Sequence, residues 1–327
     1  METRPLGGTG AEVTEIGLGT WELGGDWGDV AEAEAREAIN AALDAGVNFL
    51  DTADVYGSGR SERLIRDVLA ERDEDPFVAT KAGRMLDPHT ADGYDEAHLR
   101  EFVDDSRERL GVESLDLVQL HCPPTDVYYQ PSTFEALETL REEGRIDDYG
   151  VSVERVEQGL KAIEYPGVET VQIIFNPFRQ RPRELFLREA ANRNVGVIVR
   201  VPLASGLLTG ALSPETEFPD NDHRNFNREG DAFDVGETFA GVPFERGLEA
   251  VDAIEPVVPE GQSMAQFALR WILDHDAVTT VIPGSSSPAH IRDNVAAADL
   301  PRLSAERHAA VRSVYDEYIR EHVHQRW

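Results

Sequence analysis

Three apolar runs in this chain end on an ionisable residue, the place where a strand delivers chemistry to the edge of a sheet. The run 47–51 stops at Asp51, 77–81 at Lys81 and 117–121 at His121, and Tyr56 follows Asp51 by five residues. An ammonium beside a phenol favours phenolate, so Lys81 is expected to lower Tyr56 below its reference of about 10, while Asp51 holds Lys81 charged and in place. Tyr56 then serves as a proton donor near neutral pH, and His121 orients a substrate oxygen or shares the proton. Taken singly, a strand-end aspartate is more often a turn residue or helix cap, and a lone histidine more often a satisfied polar group. Lys81 stands apart, because the chain carries 29 arginines and only two lysines, Lys81 and Lys161. A lysine kept at such a position points to a need for a compact ammonium of tunable pKa, which a guanidinium does not supply.

Such residues converge only if their strands are neighbours. Apolar β-type runs alternate with acidic stretches of helical period, the pattern of a parallel sheet with crossover helices. Strands are predicted at 16–19, 47–51, 77–81, 115–121, 148–152, 170–176, 196–201 and 279–283, and helices at 31–45, 96–110 and 133–143, with Gly46, Gly111 and Gly144 just past their ends. Eight strands each followed by a helix predict an α/β fold, the TIM (β/α)8 barrel, with residues 1–327 as a single domain. Its active site lies at the C-terminal ends of the strands, and strands two, three and four would bring Asp51, Tyr56, Lys81 and His121 together. Three pieces exceed the eightfold plan: an N-terminal hairpin at 4–15 plugging the barrel floor, a long polar loop at 206–241 after the seventh strand, and a C-terminal helix within 304–327.

Composition narrows the partners. With 31 Lys plus Arg against 62 Asp plus Glu, the formal charge is −31, which makes a nucleic-acid backbone a poor partner. Cys122 is the only cysteine, so neither an intrachain disulfide nor a thiolate metal cluster can form, and no metal is expected. The first ten residues hold no apolar run, and no stretch approaches the roughly 20 apolar residues a membrane span needs. A soluble, cytoplasmic protein with no membrane partner is the expectation. Its acidity fits a halophilic protein working in a salt-rich cytoplasm, where short-range screening relieves self-repulsion; an ordinary acidic surface is the alternative.

The segments NFLDTADVYGSGRSERLIRDVL, FVATKAG, LDLVQLHCPP, YGVSV, VQIIFNPF, VRVPLASGLLTG and VIPGSSSPAHIRDN, in that order, resemble the aldo-keto reductase superfamily over essentially the whole chain. The resemblance implies hydride transfer between a nicotinamide cofactor and an aldehyde, ketone or sugar carbonyl or alcohol. It makes Asp51, Tyr56, Lys81 and His121 the catalytic tetrad, with the tyrosine as general acid in reduction. It also implies that Ser152, Gln172 and Asn176 surround the nicotinamide carboxamide and that Leu203, Ser205 and Leu207 lie along the pyrophosphate. Gly19, Thr20, Trp21, Arg200, Gly206, Gly284, Ser285, Ser286, His290 and Asn294 complete the implied cofactor site. Val153 stands where an Asn is frequent, and Arg200 where many members place a Tyr, so that its guanidinium could stack on the nicotinamide. Gly284 and His290 replace the Lys and Arg that some members carry, so NADP(H) is the implied cofactor with NAD(H) or dual use open.

A Rossmann fingerprint is absent: 57–62 offers Gly57 and Gly59 but Glu62 where a glycine is wanted. At 282–288 a loop with a Ser N-cap and Pro288 in the first turn is expected to aim free N–H groups at a phosphate. Trp21, Trp27, Tyr128, Tyr129, Phe226 and Trp327 are candidates for an aromatic substrate wall, with core packing the equal alternative. Asp222, His223 and Arg224 read as a solvated polar loop before they read as ligand contacts. Two rival functions remain open at this stage, a Schiff-base aldolase using Lys81 and a nucleotide-binding redox-sensing regulatory subunit. The substrate, the reaction direction and the oligomeric state are not legible. The charge reading has a direct check: thermal unfolding in molar salt is expected to fall to markedly lower temperature on dialysis into low salt, and an unchanged midpoint would refute the halophilic reading.

Overall fold

The computed structural model describes residues 1–25 and 27–327. Two short antiparallel strands, β1 (Thr3–Pro5) and β2 (Glu12–Thr14), come first. Eight parallel strands follow: β3 (Leu18–Gly19), β4 (Phe49–Asp51), β5 (Phe77–Ala82), β6 (Leu115–His121), β7 (Ile146–Ser152), β8 (Val168–Ile174), β9 (Gly196–Arg200) and β10 (Thr280–Val281). Each pairs with its neighbour in sequence, and the two ends meet. The Gly17 N–H donates to the Val281 carbonyl at 2.9 Å, the Val281 N–H to the Glu15 carbonyl at 2.9 Å, and Gly19 bridges Gly284 in parallel. The sheet is therefore a closed (β/α)8 barrel, as its sequence rhythm predicts.

Helices cover the outside at Glu32–Asp44, Arg60–Leu69, Glu96–Leu110, Pro131–Glu142, Val156–Ala162, Phe186–Asn192, Met264–Leu273 and Pro288–Ala296. The Asp95 carboxylate caps one of them by accepting from the His98 N–H at 2.9 Å, and Gly111 ends it in a left-handed conformation with φ 73°. Their apolar faces and the outward side chains of the strands form the larger core. A second, smaller core fills the lumen: Leu6, Val13, Phe49, Ala79, Leu117, Ile198 and Ile282. Leu6 and Val13 belong to the β1–β2 hairpin, which does plug the floor.

The 206–241 loop is a series of short turns, among them His223–Phe226, Val235–Glu237 and Phe239–Gly241. The tail runs as a helix over Ala305–Val314, widens into a π-type turn at Tyr315–Ile319 and ends with Trp327 against the loop. There the Trp327 indole N–H donates to Asp234 at 2.9 Å, and the Arg179 guanidinium lies over its ring at 3.9 Å. No helix among the described residues is long and apolar enough to cross a membrane.

The hairpin tip is seated tightly. Gly7 has φ 58°, and a Cβ there would stand 2.3 Å from the Glu169 carbonyl and 2.6 Å from the Gly196 nitrogen, whereas Gly10, with φ 79°, faces open space. Gly10→Ala is expected to cost about 1 kcal/mol of strain, and Gly7→Ala about 3 kcal/mol through the added backbone clash. Thermal melts of the two variants check this; equal losses would show that the tip is not wedged into the floor.

Candidate active site

Alternation along the strands builds the site. On β4 Phe49 faces the lumen, so Asp51 does too; on β5 Ala79 is followed by Lys81; on β6 Leu117 by Gln119 and His121; on β9 Ile198 by Arg200. The layer above the apolar floor is thus polar and buried. Lys81 lies at its centre, fully buried, and spends its three donors on Asp51 Oδ1 at 2.5 Å, the Thr52 carbonyl at 2.8 Å and Tyr56 Oη at 3.2 Å. The other oxygen of Asp51 accepts from Gln172 Nε2 at 2.6 Å and more weakly from Gln119 Nε2 at 3.4 Å. Thr20 and Ser61 brace the strand end, Thr20 Oγ1 donating to the Asp51 carbonyl at 2.8 Å. The Tyr56 ring stacks on Trp21 with centroids 6.2 Å apart and meets His121 edge-on at 5.9 Å. All four residues expected to do chemistry are together at one mouth of the barrel.

The electrostatics correct one expectation. Burial raises the Tyr56 phenol and outweighs the attraction of Lys81, so its pKa lies above the ordinary value, not below. Burial alone would lower Lys81, but Asp51 and Tyr56 together leave it raised and charged. For His121, burial and then Arg84, Lys81 and Arg200 push the pKa well below normal, so the imidazole is neutral at pH 7. Three residues past Asp51, Asp54 is fully buried with one oxygen accepting from the Val55 N–H at 2.6 Å and the other unpartnered. Burial, then repulsion from Glu62, raises it to about 7.

A cleft of about 540 Å³ opens from Tyr56 and His121. It runs past Leu203, Ser205 and Gly206 to Gly284, Ser285, His290 and Asn294, with Gly19, Trp21, Gln172 and Arg200 in its walls. Five implied cofactor residues do not line it: Thr20, Ser152, Asn176, Leu207 and Ser286. Thr20 braces β4, and Leu207 is core. The Asn176 amide is taken by the Val201 carbonyl and the Phe178 N–H at 2.8 Å each, and Ser152 Oγ donates to Gln172 Oε1 at 3.5 Å. Ser286 N–H and hydroxyl both donate to the Glu22 carboxylate, at 3.2 and 2.9 Å, and the Ser287 N–H donates to Ser285 Oγ at 3.1 Å. The 282–288 loop therefore does not present those N–H groups free, and Ser287 makes no side-chain cap.

The wall differs from the sequence expectation as well. Trp21 and Trp27 line the cleft. Tyr128 is buried elsewhere, Tyr129 and Phe226 face solvent, and Trp327 holds the 206–241 loop. Asp222 and His223 are fully buried, not solvated, and Arg224 lines the cleft while forked onto Asp222 at 2.6 and 2.9 Å. Gln119, Glu22, Arg84, Phe233, Glu237 and Asp293 were not singled out from sequence. Only Gln119 had a signal, its place midway between Leu117 and His121 on one strand face.

A cleft for a flexible ligand calls for backbone that can approach it closely. At Val201, Ala204, Ser205 and Gly206 the chain takes φ of 50°, 49°, 51° and 99°, strained for the three residues that are not glycine. Turns of this kind let the main chain come close to a ligand, while the Ala204 and Gly206 N–H groups are taken by the Val201 and Leu203 carbonyls at 3.1 and 3.0 Å. The model of the aldo/keto reductase family matches residues 15–316, and the chain belongs to that family. An uncharacterised oxidoreductase of Bacillus subtilis, YqkF, is 32% identical, with 96% of each chain covered. The aldo-keto reductase YhdN of the same organism is 31% identical over 89% of this chain and 87% of its own. Among solved structures, the glycerol dehydrogenase AKR11B4 of Gluconobacter oxydans superimposes with a TM-score of 0.78 at 30% identity, covering 99% of this chain and 96% of that one. Membership brings oxidoreductase activity on carbonyl compounds with a nicotinamide cofactor.

Asp54 gives the site a pH signature. Its folded pKa of about 7 exceeds the unfolded value of about 3.9, so the folded state binds more protons between them and stability declines as pH rises from 4 to 7. Asp54→Asn removes the charge at equal volume. At pH 8 it is expected to stabilise the fold by about 2–4 kcal/mol relative to its effect at pH 4, read from paired melts, and an effect independent of pH would contradict the assignment.

Proposed function

We propose that the protein reduces an aldehyde, ketone or sugar carbonyl, or oxidises the corresponding alcohol, with Tyr56 as general acid in the direction of reduction. The observation that carries this reading is the buried Lys81 ammonium, held 2.5 Å from Asp51 and 3.2 Å from Oη of Tyr56, both of which line the cleft. The nicotinamide supplies hydride to the carbonyl carbon when bound. A carbonyl oxygen between Tyr56 Oη and the neutral His121 takes the phenolic proton as charge develops on it, and Lys81 stabilises the phenolate left behind. A raised phenol suits this role, because Tyr56 stays protonated throughout the neutral range. For the reverse reaction the same group must first lose its proton, which a higher pH favours.

Gln172, Arg200, Leu203, Ser205 and Gly206 would hold the nicotinamide and pyrophosphate half, and Gly284, Ser285, His290 and Asn294 the adenosine half. NADP(H) is the form we propose on the family resemblance, with NAD(H) accepted as well because Gly284 and His290 supply no fixed cation. A Schiff-base role for Lys81 finds no support: its three donors are engaged and its pKa is raised, so no free amine is on offer.

Tyr56→Phe is expected to lower kcat by about a thousandfold or more while cofactor affinity, followed by quenching of Trp21 and Trp27 fluorescence, changes little. Comparable losses in both would make Tyr56 a structural residue. Reduction by the native enzyme should show no fall assignable to Tyr56 between pH 6 and 9, and oxidation should rise with pH across the same interval.

A further inference from the structure

Resting on the oxidoreductase reading, the geometry points to a substrate class: we propose that the preferred carbonyl compound carries a carboxylate, and that Arg84 selects it. Arg84 follows Lys81 by three residues and lines the cleft together with Tyr56, His121 and Phe233. Its Nη1 donates to Glu237 Oε1 at 2.9 Å, and its guanidinium lies over the Phe233 ring at 5.3 Å. Among the described residues this is its one hydrogen bond, so the other N–H groups of the fork are not committed to a protein acceptor. The same Glu237 oxygen also serves Arg200, whose Nη1 stands 3.6 Å away.

Two guanidinium groups thus share one carboxylate. Glu154, close to Glu237, is pushed up to about 7 by burial and by Asp234 and Glu237, and offsets the excess only partly. The other cations of the cleft are matched, Lys81 by Asp51 and Arg224 by Asp222. His121 lines the same end of the cleft, its pKa lowered by burial and next by Arg84, so it adds no further cation there. Cys122, Glu154 and Glu237 bring possible ligand atoms within 4.8 Å of one another. A metal cation nevertheless suits the spot poorly, since both guanidinium groups stand against Glu237 and burial pushes the Cys122 thiol up to about 12.

In a protein of net charge −31, two guanidinium groups on one carboxylate at the end of the cleft that holds Tyr56 and His121 are a specific feature, the other acids of the lining, Glu22 and Asp293, being engaged by Ser286 and by Ser263 and Gln266. Guanidinium matches carboxylate geometry with two parallel hydrogen bonds, and a charge-assisted pair of this kind discriminates against a neutral isostere by on the order of tenfold to a hundredfold. Trp21, Trp27 and Phe233 receive the apolar body of the substrate. The carboxylate anchors on Arg84 and is unchanged by the reaction. The carbonyl gains hydride at carbon from the dihydronicotinamide and a proton at oxygen from Tyr56, becoming an alcohol.

The test compares 4-carboxybenzaldehyde with the methyl ester of the same acid. Native enzyme is expected to favour the carboxylate in kcat/KM by about tenfold to a hundredfold. In Arg84→Gln the ratio falls to about one; Arg84→Lys, which keeps the charge and loses the fork, gives an intermediate ratio. Glu237 retains Arg200 in both variants, and circular dichroism checks their folding. Benzoate titrated against tryptophan fluorescence, without cofactor or turnover, should bind native protein at least about tenfold more tightly than Arg84→Gln. Both losses are required. A native ratio of one, a ratio that survives Arg84→Gln, or equal benzoate affinity overturns the assignment. If no carbonyl is reduced with either nicotinamide cofactor, the oxidoreductase reading fails instead, and the benzoate titration still decides whether Arg84 binds carboxylates.

Discussion

A charged ammonium buried inside a barrel is the constraint around which the rest of the structure is arranged. Stripping water from Lys81 costs several kcal/mol unless other groups take its hydrogens. Asp51, the Thr52 carbonyl and the Tyr56 hydroxyl take all three. Each acceptor is in turn fixed: Asp51 by Gln172, the strand end by Thr20 and Ser61, the tyrosine ring by Trp21 and His121. Position and charge state are therefore one problem with one solution. The same desolvation that raises Tyr56 and neutralises His121 keeps one group a proton donor and the other an uncharged partner for a carbonyl oxygen.

Parts distant in sequence complete the cleft. Tyr56 and Arg84 come from the loops after β4 and β5, whereas Phe233 and Glu237 belong to the 206–241 loop. That loop is held from inside by Glu237 on Arg84 and by Ser205 Oγ, which donates to the Glu237 carbonyl at 3.2 Å. From outside it is held by Trp327 on Asp234. The C-terminal residue thus contributes to a wall it does not touch, and the ion pair on Glu237 serves both the loop and the cleft.

The barrel and the convergence of Asp51, Tyr56, Lys81 and His121 were legible because both follow from short-range regularities. An apolar run with period two that ends on Asp51, Lys81 or His121 specifies a strand, its lumen face and the residue at its mouth at once. Gln119 obeys the same rule and was readable in hindsight. Arg84, Phe233 and Glu237 lie on loops, whose side-chain directions follow no period, and nothing local in the sequence says that residues 84 and 237 meet. The aromatic wall shows the same limit: Trp21 and Trp27 were found, but Trp327 and Tyr128 proved to be packing, since an aromatic residue is equally at home in either. The Tyr56 phenol went the other way from expectation because spacing reveals a neighbouring ammonium and not the depth at which the pair is buried. Asp222 and His223 misled for a related reason, their polarity suggesting water where the fold supplies Arg224 and Thr238 as partners.

The scarcity of lysine has a practical corollary. Lys81 is sealed inside the barrel, while Lys161, on the Val156–Ala162 helix, keeps part of its side chain in water and is bound only by Glu164 and nearby tyrosine rings. Acylating reagents thus meet a single accessible side-chain amine, set on the outer ring of helices and clear of the residues that line the cleft. Apart from the α-amine of Met1, which pairs with Asp299 at 3.2 Å, a dye or a solid support would find its attachment point there.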